Sequence, residues 1–444
     1  MGVVLIDQVP FKHDLSKPQL SAARGLIKDC RETTNAKAAL LREAIGVGDI
    51  EQQAQLHAIL TESSDAIIAS AITANRKLKF RKRGSLEDCL SIPTKLDFSK
   101  RLPEPVRVWP QPKSNGGYRM IHDHGLLHRT AQHIVTRIME AHYVPRPFQF
   151  THRGLHAAIK ETKALIEQGY VHTAHLDIAN FFGSFELEKL QPELPLAPAV
   201  VAHAVVGRHT RTVMDQEHTK GKSFAYSLPH THTFLEEARL GVPQGSACSS
   251  IVGAYCVSHL QWPSIAGVAL LNFADDFLLL AISADALTKA ADELVIAVEN
   301  LPGGTFKLKL KATRTAGQGL KFLGHELQIK KGELRTWPTV ASQEETFGKL
   351  NTIDRRLGKI VYPLGSAFGK FDKQAAIREL AKYAAIVDGW RAAFKACDDL
   401  DRFLVGVFET QTEWLDKIGT TWAKVKAAIT PDMEYQPDPY VFDK

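Results

Sequence analysis

Two adjacent aspartates, Asp275 and Asp276, stand in the otherwise apolar run LLNFADDFLLLA at residues 270–281. Two ionised carboxylates that leave water together are destabilised by desolvation and by mutual repulsion, so one is expected to take up a proton unless a cation lies between them. Because LLNFA and FLLLA are both typical of β-strands, we expect the pair in the tight turn of a hairpin. The run therefore predicts a metal site, or a turn that lifts the pair out of the core.

A third carboxylate, Asp177, ends the apolar and β-branched stretch YVHTAHLDIANFF, which predicts a separate buried strand. Three aspartates from two strands suit a hard divalent cation with oxygen ligands, Mg²⁺ before all others. A second pair, Asp398 and Asp399 in CDDLD, lies in a helical and charge-rich context and is predicted to be a solvated face.

The composition limits the classes of function. Lys and Arg number 55 against 49 Asp and Glu in 444 residues, which gives a net charge of +6 and a pI near 8.9 and is compatible with a polyanionic partner. The five cysteines include no CxxC pair, so neither a disulfide framework nor a thiolate zinc site is indicated. No signal peptide and no apolar run of about 18 residues is present, so a cytoplasmic protein without membrane contact is expected.

The order of patterns along the chain predicts helices, a mixed centre and then helices again. Apolar residues recur at helical spacing from 21 to 72, and PEPVRVWPQP followed by KSNGGYRMI predicts a β-hairpin. We expect a helical N-terminal extension at 1–104, a mixed α+β region at 105–340 and a helical region at 341–444. The densest basic cluster follows the first helices and is interpreted either as nucleic-acid contact or, with equal weight, as a solvated linker. Its members are Arg76, Lys77, Lys79, Arg81, Lys82 and Arg83.

Four segments together resemble one family. HLDIANFFGSF, GVPQGSACSS, NFADDFLLL and LKFLGHELQ occur in the order, and at roughly the spacings, of the palm motifs of reverse transcriptases. The resemblance covers about residues 105–335. It implies an α+β right-hand polymerase with fingers and palm at 105–340 and a helical thumb and C-terminal region at 341–444. It also implies two Mg²⁺ ions, or Mn²⁺ in their place, held by Asp177 and Asp275 with Asp276 in support.

The same resemblance implies roles in nucleotide binding. Phe182, five residues after Asp177, would lie against the sugar and favour dNTPs, although Phe181 and Phe182 are also interpretable as core aromatics. Gln244 would lie under the templating base, and Arg119 would hold the triphosphate. Lys311 is a candidate for assisting the leaving group, although the lysine expected directly before a threonine is here an alanine, Ala312. Phe322, Leu323 and Gly324 would form the primer grip.

The leading hypothesis is a standalone bacterial-type reverse transcriptase, most like the unknown-group and abortive-infection enzymes linked to phage defence. Its partners would be an RNA template, a non-coding RNA in particular, with dNTPs and a DNA product. Alternatives are a retron or domesticated group II intron enzyme, a template-independent DNA polymerase, and a noncatalytic RNA-binding scaffold. The histidines His122, His124, His230 and His232 are predicted to be surface or hydrogen-bonded residues rather than metal ligands.

Overall fold

The computed structural model describes residues 4–6, 9–11, 17–78, 82–112, 118–215, 228–362 and 371–429, with side chains from residue 21 on except at 228–230. The chain divides into two compact units, each drawn from three segments. The first unit takes Met1–Pro147, Ile178–Trp262 and Glu293–Lys309, and the second takes Phe148–Asp177, Pro263–Asp292 and Leu310–Lys444. The predicted boundaries after residues 104 and 340 stay predictions.

The first unit begins with a short hairpin and three helices, in agreement with the helical spacing of apolar residues at 21–72. The N-terminal extension as a domain stays a prediction. The chain starts α2 with Asp49, whose side chain accepts a hydrogen bond from the Gln52 N–H, and Ser63 does the same for α3 through Ala66. The α3 helix is buried along most of its length because small residues alternate with isoleucine. The bounds are β1 Val4–Ile6, β2 Val9–Phe11, α1 Lys17–Val47, α2 Ile50–Glu62, α3 Ser64–Lys77 and α4 Leu86–Leu90.

The predicted hairpin of the first unit is confirmed by β3 (Val106–Pro112) and β4 (Tyr118–Asp123), which pair antiparallel. Its Asn-Gly-Gly turn lies outside the described residues. A third strand, β6 (Thr212–Met214), pairs parallel with β3. The long helix α5 (Leu126–His142) follows β4 and buries an apolar face that includes Leu127, Ala131, Ile134 and Ile138.

The second unit contains most of a four-stranded sheet with the order β7-β8-β5-β9. The apolar side chains of β8 are buried on both faces, which explains the uninterrupted run of leucines. A smaller antiparallel sheet has the order β10-β11-β12. The bounds are β5 His172–Ile178, β7 Val268–Phe273, β8 Asp276–Ala281, β9 Leu308–Thr315, β10 Leu320–Phe322, β11 His325–Lys330 and β12 Glu333–Pro338.

The remaining helices include the C-terminal group of the second unit, whose core is centred on the buried side chains of Trp390 and Phe394. Asp372 caps the start of the helix that carries Trp390, and that helix ends at Ala393. Asp398 and Asp399 therefore lie on a turn, which corrects the prediction that they sit on a helix. The bounds are α6 Leu155–Glu167, α7 Leu187–Leu190, α8 Pro198–Val200, α9 Leu228–Glu237, α10 Ser249–Ser258, α11 Ala284–Glu299, α12 Val340–Val361, α13 Lys373–Ala393, α14 Val405–Ile418 and α15 Trp422–Ala427.

Candidate active site

Asp177 and Asp276 lie on neighbouring antiparallel strands and are register partners across β5 and β8. On its other side Asp276 pairs with Phe273 of β7, so Ala274 and Asp275 form the two-residue connection of the hairpin. The predicted hairpin is therefore confirmed, and both apolar flanks of the aspartate pair are strands. Only Asp275 lies in the turn, because Asp276 already pairs as the first residue of β8, which corrects the prediction that both do.

The turn of this hairpin is held by a segment that precedes α6. Ala274 has a φ of 56°, a left-handed conformation that costs a non-glycine residue about 1–2 kcal/mol. Its N–H donates to Thr151 Oγ1 at 2.8 Å, and its carbonyl accepts from Asn272 Nδ2 at 2.9 Å. The Phe150 N–H also donates to the Asn272 carbonyl at 2.8 Å. The aspartate turn is thus fixed from both of its ends.

Asp276 is buried, with 5% of its surface exposed, and has two charged or polar partners. His175 Nε2 lies 3.0 Å from its Oδ1, and Lys311 Nζ lies 2.9 Å from the same oxygen. The Lys311 ammonium is also 3.7 Å from Asp177 Oδ2. A buried carboxylate is tolerated when it is paired and hydrogen-bonded. In this structure the Lys311 ammonium therefore pairs with the carboxylates of Asp276 and Asp177.

The donor set fits a divalent cation. Within the described part of the chain, no three His, Cys, Asp or Glu side chains stand ready to hold a metal ion. Asp177 and Asp276 nonetheless share one cation, the ammonium of Lys311. Carboxylate oxygens are the ligands that Mg²⁺ and Mn²⁺ prefer. Asp177 and Asp276 could therefore hold a divalent ion in place of the ammonium. Asp275 as a further ligand stays a prediction.

In the first unit, the loop that carries Gln244 is built onto β4. The His122 N–H donates to the Gln244 carbonyl at 2.9 Å, and Gly245 has a φ of 99°. A Cβ at Gly245 would lie 2.5 Å from the His122 carbonyl oxygen, so only glycine fits there. Gln244 Oε1 is buried without a hydrogen-bond partner. The main chain at Gln244 and Gly245 is thus fixed, and the side-chain oxygen of Gln244 can accept a hydrogen bond from a ligand.

A cavity of about 330 Å³ in the first unit brings Arg119 and Gln244 together, as predicted for two nucleotide-binding residues. Asn180, which has a φ of 49°, and Gly183 also line it. Its complete lining is Tyr118, Arg119, Met120, His122, Asn180, Gly183, Glu237, Leu240, Val242 and Gln244. The roles of Arg119 and Gln244 stay predictions.

Phe182 is placed differently from the prediction. Its ring is 2% exposed, packs 5.2 Å from the Phe181 ring, and lies beside Gly253 of α10. Its carbonyl accepts the Val242 N–H at 2.8 Å. The structure therefore supports the core-aromatic interpretation for both phenylalanines, because a ring enclosed on its faces does not present a surface to a sugar.

Of the predicted primer-grip residues, Phe322 ends β10, and Leu323 and Gly324 form the turn between β10 and β11. Leu323 and Gly324 both have positive φ, 48° and 75°, as a tight hairpin turn requires. The side chains of Phe322 and Leu323 are 1% and 2% exposed and belong to the core of the second unit. The Gly324 carbonyl accepts the Thr339 N–H at 2.8 Å. A contact with a primer would therefore involve the main chain of this turn, and that role stays a prediction.

The basic cluster is only partly available to a polyanion. Arg76 and Lys77 are exposed at the end of α3, whereas Lys82 forms an ion pair with Asp123. Arg83 is 6% exposed and donates to the Leu78 carbonyl at 2.9 Å and to the Arg76 carbonyl at 3.1 Å. Arg83 is therefore a structural residue, which corrects its assignment to nucleic-acid binding. Lys79 and Arg81 lie outside the described residues.

The flagged histidines are hydrogen-bonded where they are described. His122 lies with Nε2 2.7 Å from the Ala238 carbonyl oxygen, and burial lowers its pKa. His124 is buried and stacks on His122, and burial also lowers its pKa. His232 is exposed and lies 3.4 Å from Glu236, while the side chain of His230 lies outside the described residues. That these histidines are not metal ligands stays a prediction.

Two residues, one in each unit, were not anticipated from the sequence. In the second unit His175 contacts Asp276, and in the first unit Asn180 lines the cavity with Gln244. The signal for His175 was its spacing: two residues before Asp177, it must lie on the same face of the strand. Asn180 offered no comparable pattern, because its left-handed backbone conformation is not encoded by periodicity.

Comparison with known proteins identifies the central region. Residues 111–327 match the family described as reverse transcriptase (RNA-dependent DNA polymerase). No curated protein sequence matches the chain. Among solved structures, the RNA-dependent RNA polymerase of bacteriophage phi12 is 12% identical with a TM-score of 0.31, over 73% of this chain and 55% of that one. The telomerase of Candida albicans, solved with a fragment of telomeric RNA, is 12% identical with a TM-score of 0.32, over 73% of this chain and 62% of that one.

The chain thus spans less than two thirds of the length of either polymerase structure. No described helix is both long and apolar enough to cross a membrane. The family match confirms the predicted mixed helix-and-sheet polymerase fold. Residues 111–327 match the reverse transcriptase family, and the matched segment contains Asp177, Asp275 and Asp276.

Proposed function

We propose that the protein is an RNA-directed DNA polymerase that extends a primer with dNTPs. One observation carries this proposal: within the reverse transcriptase domain, Asp177 and Asp276 are paired across two strands and already share a cation. Unused carboxylates at a buried position would be a stability liability. Their retention favours a catalytic protein over a noncatalytic RNA-binding scaffold.

Asp177 and Asp275 would be the principal metal ligands, since both are half-buried whereas Asp276 is 5% exposed. Asp276 would support them while it stays hydrogen-bonded to His175. When bound, two Mg²⁺ ions, or Mn²⁺ in their place, would activate the primer 3′-hydroxyl and stabilise the leaving pyrophosphate. Lys311 would leave the carboxylates as the metal arrives and carry its charge toward the phosphates.

The triphosphate would be held by Arg119, whose guanidinium can make paired hydrogen bonds to phosphate oxygens. Gln244 would supply its buried Oε1 as an acceptor for the nucleotide. Both residues line one cavity and lie on main chain that is fixed by hydrogen bonds. For Phe182, we expect Phe182→Ala to lower stability by several kcal/mol, as usual for a buried phenylalanine, rather than to change deoxyribonucleotide selectivity.

We further propose that the enzyme works in the cytoplasm on an associated non-coding RNA and serves in antiphage defence. Support comes from the long helices α1–α3 and α12–α15, which lie outside residues 111–327. The exposed Arg76 and Lys77 at the end of α3 offer positive charge for an RNA backbone. Bacterial origin and the defence-linked subgroup belong to this proposal as well.

Labelled dNTPs and Mg²⁺ added to the purified protein test the polymerase and its template together. We expect incorporation that depends on the copurifying RNA, is lost after RNase treatment, and yields DNA complementary to that RNA. Asp275→Asn is the inactive control. Incorporation that persists after RNase treatment would support the template-independent alternative instead.

The defence role is tested separately by plating phages on cells that express either the wild type or Asp275→Asn. We expect fewer plaques only with the wild type. Equal plaque counts across a broad phage panel would contradict the defence role and leave the polymerase activity untouched.

A further inference from the structure

His175 is a buried histidine at the metal-binding carboxylates. It lies on β5, is 8% exposed, and its Nε2 lies 3.0 Å from Asp276 Oδ1. An ionised carboxylate only accepts hydrogen bonds, so the imidazole donates from Nε2. The orientation of the ring is thereby coupled to the orientation of the Asp276 carboxylate.

The contact follows from the register of the sheet. His175 pairs with Leu278 and Asp177 pairs with Asp276, so the bond from His175 to Asp276 runs diagonally across β5 and β8. Diagonal neighbours in an antiparallel pair lie within reach of long or aromatic side chains. His175 therefore connects the strand that carries Asp177 to the carboxylate of the opposite strand.

The other side of the imidazole is fixed by an apolar ring. Phe322 of β10 lies edge-on to His175, with ring centroids 5.8 Å apart and an interplanar angle of 87°. Such T-shaped contacts are favourable for aromatic pairs. Phe322 is 1% exposed, so this neighbour has little freedom to move. A side chain on a strand and against a packed ring is a firmer support than Lys311, which reaches Asp276 on a flexible stem.

We propose that His175 is a positioning residue for the metal site, a role that rests on the proposed function. By holding Oδ1 of Asp276, it orients the rest of that carboxylate for a divalent cation. Through Phe322 it also links the turn at Leu323 and Gly324 to the same carboxylate. Partners of this kind behind a metal ligand typically contribute about 10–100-fold to metal affinity or activity.

The test separates the hydrogen bond from the shape of the ring. His175→Phe keeps an aromatic ring against Phe322 but removes the donor, whereas His175→Gln keeps an N–H at a similar reach. His172→Phe, at the start of the same strand, is the matched control. Mn²⁺ binding to the nucleotide-free protein is measured by electron paramagnetic resonance, and kcat and KM are measured by primer extension.

We expect His175→Phe to weaken Mn²⁺ binding about tenfold and to lower kcat by about tenfold or more, with the KM for dNTP changed less than about threefold. His175→Gln should recover Mn²⁺ binding to within about threefold of the wild type, and His172→Phe should match the wild type. Unchanged Mn²⁺ binding in His175→Phe would overturn the proposal. Equal losses in the Phe and Gln variants would also overturn it, because ring shape and not the donor would then matter.

If His175→Phe does not fold, His175→Asn replaces it, because its amide is too short to reach the position of Nε2. The proposal is then tested by the difference in Mn²⁺ affinity between His175→Asn and His175→Gln. Since Mn²⁺ binding is measured without nucleotide or primer, its dependence on His175 is independent of polymerase activity. A wild-type protein that binds Mn²⁺ in this way but extends no primer would contradict the proposed function alone.

Discussion

The two Asp-Asp pairs of this chain are identical in sequence but differ in burial and in the groups that they contact. Asp276 is 5% exposed and meets Lys311 and His175. Asp398 has a side chain that is 34% exposed, and its Oδ2 accepts the Thr336 N–H at 2.7 Å. The Asp398 N–H in turn donates to the Thr336 carbonyl at 2.7 Å.

The difference lies in what each carboxylate binds. In the first pair, Asp276 shares the Lys311 ammonium with Asp177 from another strand, so charged groups accumulate at one point. At the second pair, the Asp398 carboxylate accepts a hydrogen bond from a main-chain N–H. Asp399 has a φ of 50° and starts a short 3₁₀ turn. Two adjacent aspartates can therefore form a cation-binding site only when side chains from other strands lie beside them.

The strongest test of this comparison replaces both aspartates of each pair by asparagine. Asp275→Asn with Asp276→Asn should lower primer extension by about 10³-fold or more, since metal-ion catalysis contributes several kcal/mol and each tenfold is about 1.4 kcal/mol. Asp398→Asn with Asp399→Asn should stay within about threefold of the wild type. Comparable losses in the two double variants would remove the distinction between the pairs.

The second test addresses the structural pair. Asp398→Ala should lower the free energy of unfolding by about 1–2 kcal/mol, because the Thr336 N–H loses a charged acceptor that is partly exposed. Urea unfolding followed by tryptophan fluorescence measures the change, and primer extension at low temperature should be retained. A loss of extension at unchanged stability would mean that Asp398 belongs to the catalytic machinery.

The third test concerns the cation at the buried pair. Lys311→Met should strengthen Mn²⁺ binding about threefold to tenfold, because the metal no longer competes with an ammonium worth about 1 kcal/mol at this partly exposed position. Electron paramagnetic resonance measures the affinity, with Lys163→Met as the control beside Asp398. Weaker Mn²⁺ binding in Lys311→Met would show that the lysine assists the metal instead of replacing it.

The smallest effect on stability is expected for Lys163→Met, the control variant of the third test. Lys163 Nζ is 3.9 Å from Asp398 Oδ1, and the two side chains are 26% and 34% exposed. An ion pair of this kind contributes little, so Lys163→Met should change the free energy of unfolding by less than about 0.5 kcal/mol. A loss above about 1 kcal/mol in urea unfolding would mean that Asp398 depends on charge pairing as Asp276 does.

The local elements could be predicted because their signals are local. Strand-forming apolar residues on both sides of the turn predicted the hairpin around Asp275, and helical spacing predicted the N-terminal helices. The Asp177 strand was also predicted, although it ends one residue later, at Ile178. The family order of motifs then joined these elements into one domain, which the match over residues 111–327 supports.

What could not be predicted depends on contacts between distant segments. The partners of Asp276 lie 101 and 35 positions away in the chain, and no periodicity encodes them. Arg83 resembles its basic neighbours in sequence, yet its guanidinium is buried against main-chain carbonyls. Phe182 matches a family position, but packing beside Gly253 decides that its ring is enclosed.

The bond from the Ala274 N–H to Thr151 Oγ1 joins residues 123 positions apart. It ties the direction in which Asp275 points to the length of a short segment before α6, since Phe148 and Phe150 of that segment also bond to Asn272. An insertion or deletion at 148–154 would change the orientation of the β7–β8 hairpin, although every aspartate would be retained. Over evolutionary time, this short segment should therefore accept substitutions far more readily than changes in length.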